Sequence, residues 1–386
     1  MTIQKNVFIP INQLNTWLSL QKHTRNDYRK ISKLWESIVI KAFSYSVLFC
    51  LFYLIMWPVP INPVSWESPQ PPSMTGVYAK NDYLKNIEIF WDNDGHYGPE
   101  DIVIKDGVLY AGYHDGVIMS SLGEFYNTEG RPLGMAFDAN HNLIVADAIK
   151  GLISINPQGV ATTLSTKSDS DGNPLHFADD LDIATDGKIY FSDASDKFGY
   201  GEDRLEAMEH TPNGRLLVYD PKTSLTTTLL DSLYFANGVA VSPDDSFILF
   251  NETLMYRIKK YWLKGEKAGT VETVIENLPG FPDNISSNGK GVYWVALFTV
   301  RNSFIDQTAD MPFLRKMALR LPNFLQPQPQ SYAFALAIDK DGNILHNLQY
   351  EKSDAYSPIT SVKQYGNELY FGSLSHKGWG KIESPS

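Results

Sequence analysis

The sequence has a single cysteine in 386 residues. That excludes an intramolecular disulfide framework and any cysteine-based zinc site. It also lacks an excess of basic groups. Lys and Arg number 33 against 44 Asp and Glu, a formal net charge of -11. A general nucleic-acid binder needs a basic stripe to displace counterions from phosphates, so no nucleic-acid partner is expected. No P-loop, no G-x-S-x-G nucleophile elbow and no His cluster at metal-ligand spacing is present. What is present is a chain that is 43% hydrophobic and 13% aromatic, too rich for disorder. Its length admits one large domain or two ordinary ones.

The charge is unevenly spread. Residues 1–41 carry seven basic groups, Lys5 and Lys41 among them, and two acidic ones, for a balance of +5. The remainder is -16. Between Ala42 and Trp66 there is no charged residue, and Val47–Trp57 is almost wholly apolar. About 20 apolar residues span the hydrocarbon core of a bilayer. Residues 42–62 are therefore read as a transmembrane signal anchor. Pro58 and Pro60 stop the helix, and Trp57 and Trp66 suit the far interface. A cleaved signal peptide and a buried core helix are the competing readings. The basic segment is long for the first, and no small-x-small cleavage site follows. The second is hard to reconcile with so long a charge-free run. The positive flank predicts a cytoplasmic N-terminus, with the rest in a periplasm or in a lumen or outside the cell. Residues 63–75, with Pro69, Pro71 and Pro72, read as an extended linker.

From residue 100 one unit recurs. A polar residue opens a short apolar strand, a turn with Asp, Asn or Gly follows, and a second strand ends in small or acidic residues. The second strands include Val108–Gly112, Leu143–Asp147, Ile189–Asp193 and Leu369–Ser373. Openings near 100, 133, 179, 237, 283 and 360 give six units. Six four-stranded units with little helix predict an all-β fold, a six-bladed β-propeller over residues 76–386. Ile87–Phe90 alternates and is expected to close the last blade as its outer strand. Residues 301–330 carry no strand pattern. There Phe313, Leu314, Met317, Ala318 and Leu321 fall on one helical face, with Arg315, Lys316 and Arg320 off it. This is either a lid or membrane-facing helix, or a surface helix packed on a blade.

In a propeller the innermost strands line the central tunnel, so polar residues at equivalent strand starts converge there. Glu100, Asp179, Asn237, Asp283 and Asn284 stand at such starts. Carboxylates with amide carbonyls are hard oxygen donors, which suits Ca²⁺ rather than zinc or copper.

The run Phe235-Ala-Asn-Gly-Val-Ala-Val-Ser-Pro-Asp-Asp-Ser246 resembles the strictosidine synthase-like family. So do Tyr261-Trp-Leu-Lys-Gly265 and Asn277-Leu-Pro-Gly-Phe-Pro-Asp-Asn-Ile285. The resemblance covers roughly residues 75–380. The wider group holds paraoxonases, gluconolactonases and diisopropyl-fluorophosphatase. It implies a six-bladed propeller with a tunnel Ca²⁺ ion and, in many members, hydrolysis of esters or lactones. A short cytoplasmic tail with one span also resembles a membrane-associated branch of the family.

Glu100, Asn237, Asp283 and Asn284 match the family's metal ligands. Asp179 departs, because the hydrolases usually have Asn there. Three carboxylates around a divalent ion leave the site near -1, which predicts tighter Ca²⁺ binding and a weaker Lewis acid. Alternatively Asp179 carries a proton. Leu133 stands where paraoxonases have a general-base His, and Thr360 where strictosidine synthase has a catalytic Glu. Thr360 is expected to line the pocket wall. His176 is expected near the pocket as a substitute base or, more plainly, as a surface His. Asp283 is the first candidate for nucleophile or base, and Asp179 the second. The expectation is a membrane-anchored, Ca²⁺-dependent hydrolase of a small ester or lactone, arylesterase-like or lactonase-like. The alternative is a non-catalytic propeller with a structural ion that acts as a binding module. A strictosidine synthase-type lyase is the remote third. Asn251-Glu-Thr253 and Asn284-Ile-Ser286 are glycosylation sequons.

Overall fold

A computed structural model of the chain describes residues 11–91 and 95–385. The first ten residues of the basic tail, Lys5 included, lie outside them. The chain divides into two compact units, one of Met1–Val59 with Leu319–Leu325 and one of the remainder.

In the first unit, helix α1 (Ile11–Met56) runs unbroken, so the described part of the basic tail and the apolar run form one helix. It is long and apolar enough to cross a membrane. It stops two residues before Pro58, whose ring removes a backbone donor, so 57–62 of the expected span lie beyond it. Its last turn carries no basic residue. The Arg320 guanidinium supplies one from afar, donating to Leu54 O at 2.8 Å and Trp57 O at 2.6 Å. Those are C-terminal carbonyls that a helix leaves unpaired.

The second unit is the expected propeller. Six separate sheets each hold four antiparallel strands. Blade 1 runs from Ile102 to Asn127, blade 2 from Pro132 to Ser165 and blade 3 from Ala178 to Leu233. Blade 4 runs from Ala236 to Ile275, and blade 5 from Gly280 to Tyr350. Blade 6 takes three strands from Val362 to Glu383 and its outer strand, Glu88–Trp91, from the other end of the chain. Glu88 faces Lys381 and Trp91 faces Gly378. Phe90 stacks on Trp379 with ring centroids 4.3 Å apart. The ring is thus closed by the strand expected to close it. The first strands of successive blades touch all the way round, with Ile102–Lys105 meeting Val362–Tyr365.

Each blade-to-blade interface has its own apolar cluster. Val103 and Ile118 meet Val145, and Ile144 meets Phe191. Tyr190 meets Ile248, Phe247 meets Tyr293, and Trp294 meets Leu369. Strands between two such clusters are buried on both faces, which is why Ala333–Ile338 reads as a continuous apolar run. Each buried Leu or Phe contributes about 1.5 to 3 kcal/mol.

In blades 2 to 4 the acidic end of the second strand fastens the blade to its own start. Asp147 accepts from Arg131 N at 3.0 Å, Asp193 from Phe177 N at 2.7 Å, and Glu252 from Tyr234 N at 3.0 Å. Much of the domain's acidity therefore serves backbone donors.

Residues 63–75 form no helix or strand, and they are clamped. Asn62 N donates to the Glu209 carboxylate and Val64 N to Glu209 O. Arg301 donates to Ser68 Oγ at 2.8 Å and Pro69 O at 2.6 Å, and lies over the Tyr256 ring. Trp66 stacks on buried His210 at 3.8 Å. Burial, then the Arg315 charge, lower the His210 pKa to about 3, so the ring is neutral.

The insertion forms helices α2 (Asp203–Glu209) ahead of it, then α3 (Ser303–Gln307) and α4 (Pro312–Leu319) within it. The burial of α4 follows the apolar-face reading only in part: Ala318 is buried as that face requires. Arg315 is wholly buried, while Phe313 and Leu314 are 51% and 39% exposed. Arg315 is drawn inward by carbonyls: it donates to Met208 O at 3.0 Å, to Ala309 O at 3.3 Å and to Val64 O.

Candidate functional site

The first strands of blades 2 to 5 share one irregularity. Their pairing with the second strand slips between Pro132 and Met135, Ala178 and Leu181, Ala236 and Val239, and Pro282 and Ile285. A bulge frees side chains from the ladder and re-aims them. The first freed residues are Leu133, Asp179, Asn237 and Asp283. In blades 1 and 6, Glu100 N bonds Gly112 O and Thr360 N bonds Gly372 O, which marks the matching places. Glu100, Leu133, Asp179, Asn237, Asp283 and Thr360 therefore form one ring of equivalent positions, all buried.

The next position reads Asp101, Gly134, Asp180, Gly238, Asn284, Ser361. Asp101 accepts from Met135 N in blade 2, and Asp180 from Val239 N in blade 4. At Gly238 a Cβ would lie 2.4 Å from Ile285 N, so only glycine lets blades 4 and 5 meet. Asn251 Nδ2 donates to Asp283 O, and Thr253 Oγ1 donates to Pro282 O at 2.7 Å. Asn251 and Asn284 are both buried, so neither sequon asparagine offers its nitrogen to solvent in the fold.

The ring's oxygens have fewer partners than their burial demands. Asn237 Nδ2 donates to Asp283 Oδ1 at 2.7 Å, and Asn284 Nδ2 to Glu100 Oε1 at 2.9 Å. Both amides thereby leave their carbonyl oxygens over. Asn237 Oδ1, Asn284 Oδ1 and Glu100 Oε2 are buried without a hydrogen bond. Unmatched buried acceptors cost about 1 to 3 kcal/mol each. Burial holds Glu100, Asp179 and Asp283 well above the usual carboxylate range. Mutual repulsion adds to it: Asp101 acts on Glu100, Asp283 on Asp179, and Glu100 on Asp283. Among the described residues, no group of three His, Cys, Asp or Glu side chains is closed up around a single point. The amide oxygens are what complete the donor set. All-oxygen donors with surplus negative charge fit a hard divalent cation such as Ca²⁺.

Glu100, Leu133, Asp179, Asn237 and Asp283 open into a cavity of about 230 Å³. Its other walls are mainly apolar, with Phe177, Phe235, Leu254, Phe281 and Phe298. Thr360 and His176 were expected there, and neither lines it. Thr360 is fully buried and turns its hydroxyl to Glu100 O at 2.9 Å, a bond between blades 6 and 1. His176 is exposed and gives its backbone N–H to Asp193.

Sequence reasoning missed Tyr200, Asp203 and Arg204, which reach the cavity from α2 and the turn before it. It also missed Arg131, wholly buried, whose charge favours ionised Glu100 and Asp179. The only signal in the sequence is that Arg131 sits two residues before a ring position.

Helix α2 also carries Glu206, fully buried. Ser195 Oγ donates to it at 2.6 Å and Asn213 Nδ2 at 3.1 Å, yet burial prevails and pushes its pKa to about 7. Between the ordinary 4.5 and 7 the fold keeps a proton that the unfolded chain releases. Stability from this group therefore falls as pH rises through that window and is level above it. Glu206→Gln is expected to gain on the wild type between pH 5 and pH 8. Urea unfolding at both values checks this, and an equal difference at the two would refute it.

Comparison with known proteins agrees with this fold. The family described as strictosidine synthase matches residues 179–266, and the strictosidine synthase-like N-terminal family matches 76–120. The rat adipocyte plasma membrane-associated protein is 36% identical over 342 residues, 82% of this chain and 90% of its own length. Arabidopsis strictosidine synthase-like protein 6 is 38% identical over 291 residues, 72% of this chain and 76% of its own. A gluconolactonase from Xanthomonas campestris superposes with a TM-score of 0.55 at 16% identity, covering 85% of this chain and 99% of that one. A calcium-binding regucalcin from Agrobacterium tumefaciens gives 0.53 at 14%, covering 76% and 92%. At such identity these two structures speak for the fold.

Proposed function

This chain belongs to the strictosidine synthase-like family, and from that premise we propose that it is a membrane-anchored, Ca²⁺-dependent hydrolase of carboxylic esters or lactones. The observation that carries the reading is the trio of unpartnered oxygens on Glu100, Asn237 and Asn284, with Glu100, Asn237, Asp179 and Asp283 opening into an apolar cavity. Glu100, Asp179, Asn237, Asp283 and Asn284 would hold the ion. A bound Ca²⁺ supplies Lewis acidity toward a carbonyl oxygen. The chain's own residues do the rest. Phenylalanines exclude water and take the apolar part of the substrate. Asp283 would attack the carbonyl or orient water, with Asp179 as the second candidate. Helix α1 would anchor the protein, with its basic end in the cytoplasm and the propeller across the membrane.

Leu133 favours a second reading. A buried, apolar side chain occupies the ring position that would hold a general-base histidine. A binding propeller with a structural ion needs no base there. The discriminating assay is hydrolysis of phenyl acetate and a lactone panel by the purified full chain, with and without chelator. Turnover that is lost on chelation and restored by Ca²⁺ is expected. No turnover on any substrate would give the protein to the second reading, and turnover indifferent to chelation would remove the ion from the chemistry.

A further inference from the structure

The cavity has a polar pair that the ring does not use. Tyr200, in the turn before α2, lines the cavity. Its hydroxyl lies 2.7 Å from His114 Nδ1. His114 comes from the turn between the second and third strands of blade 1, 86 residues away. Its ring stacks on Tyr97 at 4.5 Å, and its backbone N–H donates to Tyr97 O at 2.9 Å. Tyr200 is fixed edge-on to Phe177, with the Arg131 guanidinium 5.7 Å from its ring centroid. Both rings are thus held by packing, and the pair joins the cavity to a half-buried imidazole.

We propose that Tyr200, backed by His114, takes the proton from the hydrolytic water in this cavity. The inference rests on the hydrolase reading above and names the base which that reading lacks at Leu133. Asp179 and Asp283 would share oxygens with the cation, which makes them weak bases, so their part is to orient the water and another group takes its proton. The proton path balances. Water O attacks the ester carbonyl carbon, and the C=O π pair moves to its oxygen. The water proton passes to Tyr200 Oη as the Tyr200 proton passes to His114 Nδ1. On collapse the C–O bond to the alcohol breaks, and the alkoxide takes a proton back through Tyr200 from His114. Tyr200 touches the water and is the catalytic residue. His114 acts through it and is a positioning residue and proton store.

The protonation states agree with these roles. Burial first, then Arg131, lower the His114 pKa, against a smaller opposing effect of Asp115, so the imidazole is neutral and can accept. Burial raises that of Tyr200, so the phenol keeps its proton and donates. Arg131, Asp115, Tyr97 and Tyr200 are the charged and titratable groups that face His114. Asp115 is itself held by His96 at 2.6 Å.

The test uses the full chain with Ca²⁺ and two variants, Tyr200→Phe and His114→Gln. General-base removal is expected to lower kcat about 100-fold in each. KM and the calorimetric Ca²⁺ affinity should stay within about twofold of the wild type, since neither residue belongs to the ring. The wild-type profile of kcat against pH should show an acid limb below the ordinary histidine value, and His114→Gln should remove it. The double variant should be no slower than Tyr200→Phe, because the two act as one unit. A Tyr200→Phe chain with more than half the wild-type kcat overturns the relay and leaves the hydrolase reading standing. An acid limb that survives in His114→Gln overturns the role of His114. A wild-type chain without turnover overturns relay and hydrolase together.

Discussion

Chelating Ca²⁺ is expected to lower the melting temperature of the purified chain, and Glu100→Gln is expected to abolish that Ca²⁺ response. A ligand that binds only the folded state stabilises it by about 4 kcal/mol at a thousandfold excess over Kd. For a domain of this size that is on the order of 8 °C. The ring explains why the effect should be large. Glu100, Asp179 and Asp283 are buried carboxylates without a cationic partner at hydrogen-bond distance, and burial and mutual repulsion raise the cost of ionising each. An ion neutralises them and satisfies Glu100 Oε2, Asn237 Oδ1 and Asn284 Oδ1 together. Glu100→Gln should also move the metal-free chain in the opposite direction. One charge fewer relieves the ring, so the variant should melt above the wild type when both are in chelator. Thermal melts of the two proteins, with Ca²⁺ and with chelator, give all four values. Identical wild-type melts in the two conditions would remove the ion from the ring.

The second large effect is expected at Arg315→Met, which keeps the bulk and removes the donors. Val64 O and Met208 O would lose their Arg315 donor, and Ala309 O would keep only Trp66 N. A buried hydrogen bond to a charged group is worth about 1.5 to 3 kcal/mol, so a loss of about 3 to 5 kcal/mol follows for the set. The damage should be local in kind. Residues 60–70 lose their grip first, Trp66 leaves His210, and a protease gains a cleavage site there. Limited proteolysis with Trp fluorescence reads this directly. A variant as stable and as resistant as the wild type would show that Glu209 and Arg301 suffice to hold the segment.

The propeller was legible in the sequence because each blade repeats the same local physics. Strands such as Ile189–Asp193 alternate with Asp-Gly or Asn-containing turns, and every unit opens on a residue that the fold gathers at one ring. Glu100, Asp179, Asn237 and Asp283 could be found for that reason. The closing strand Glu88–Trp91 was legible from alternation alone. What stayed hidden depends on contacts that no local pattern encodes. Tyr200 meets His114 across 86 residues, and Arg315 meets Val64 across 251. Thr360 shows the finer limit. Its register placed it correctly in the ring, but a short hydroxyl beside Glu100 O turns toward that carbonyl and away from the cavity. In α4 the apolar period was real, yet a guanidinium with several carbonyls to satisfy decided which face went inside.

The pairing of Glu88–Trp91 with Gly378–Glu383 sets a timetable for synthesis. A ribosome delivers the first of these strands nearly three hundred residues before the second. Blades 1 to 5 can assemble in order as they emerge, but the circle stays open until Gly378–Glu383 is made. During that interval the strand that will seal the ring waits with unpaired backbone, some thirty residues along the chain from a helix long and apolar enough to cross a membrane. Early membrane insertion would hold that waiting edge to one place on a surface and keep it from other nascent chains. A stop codon a dozen residues early would leave every blade but one complete and the ring unsealed.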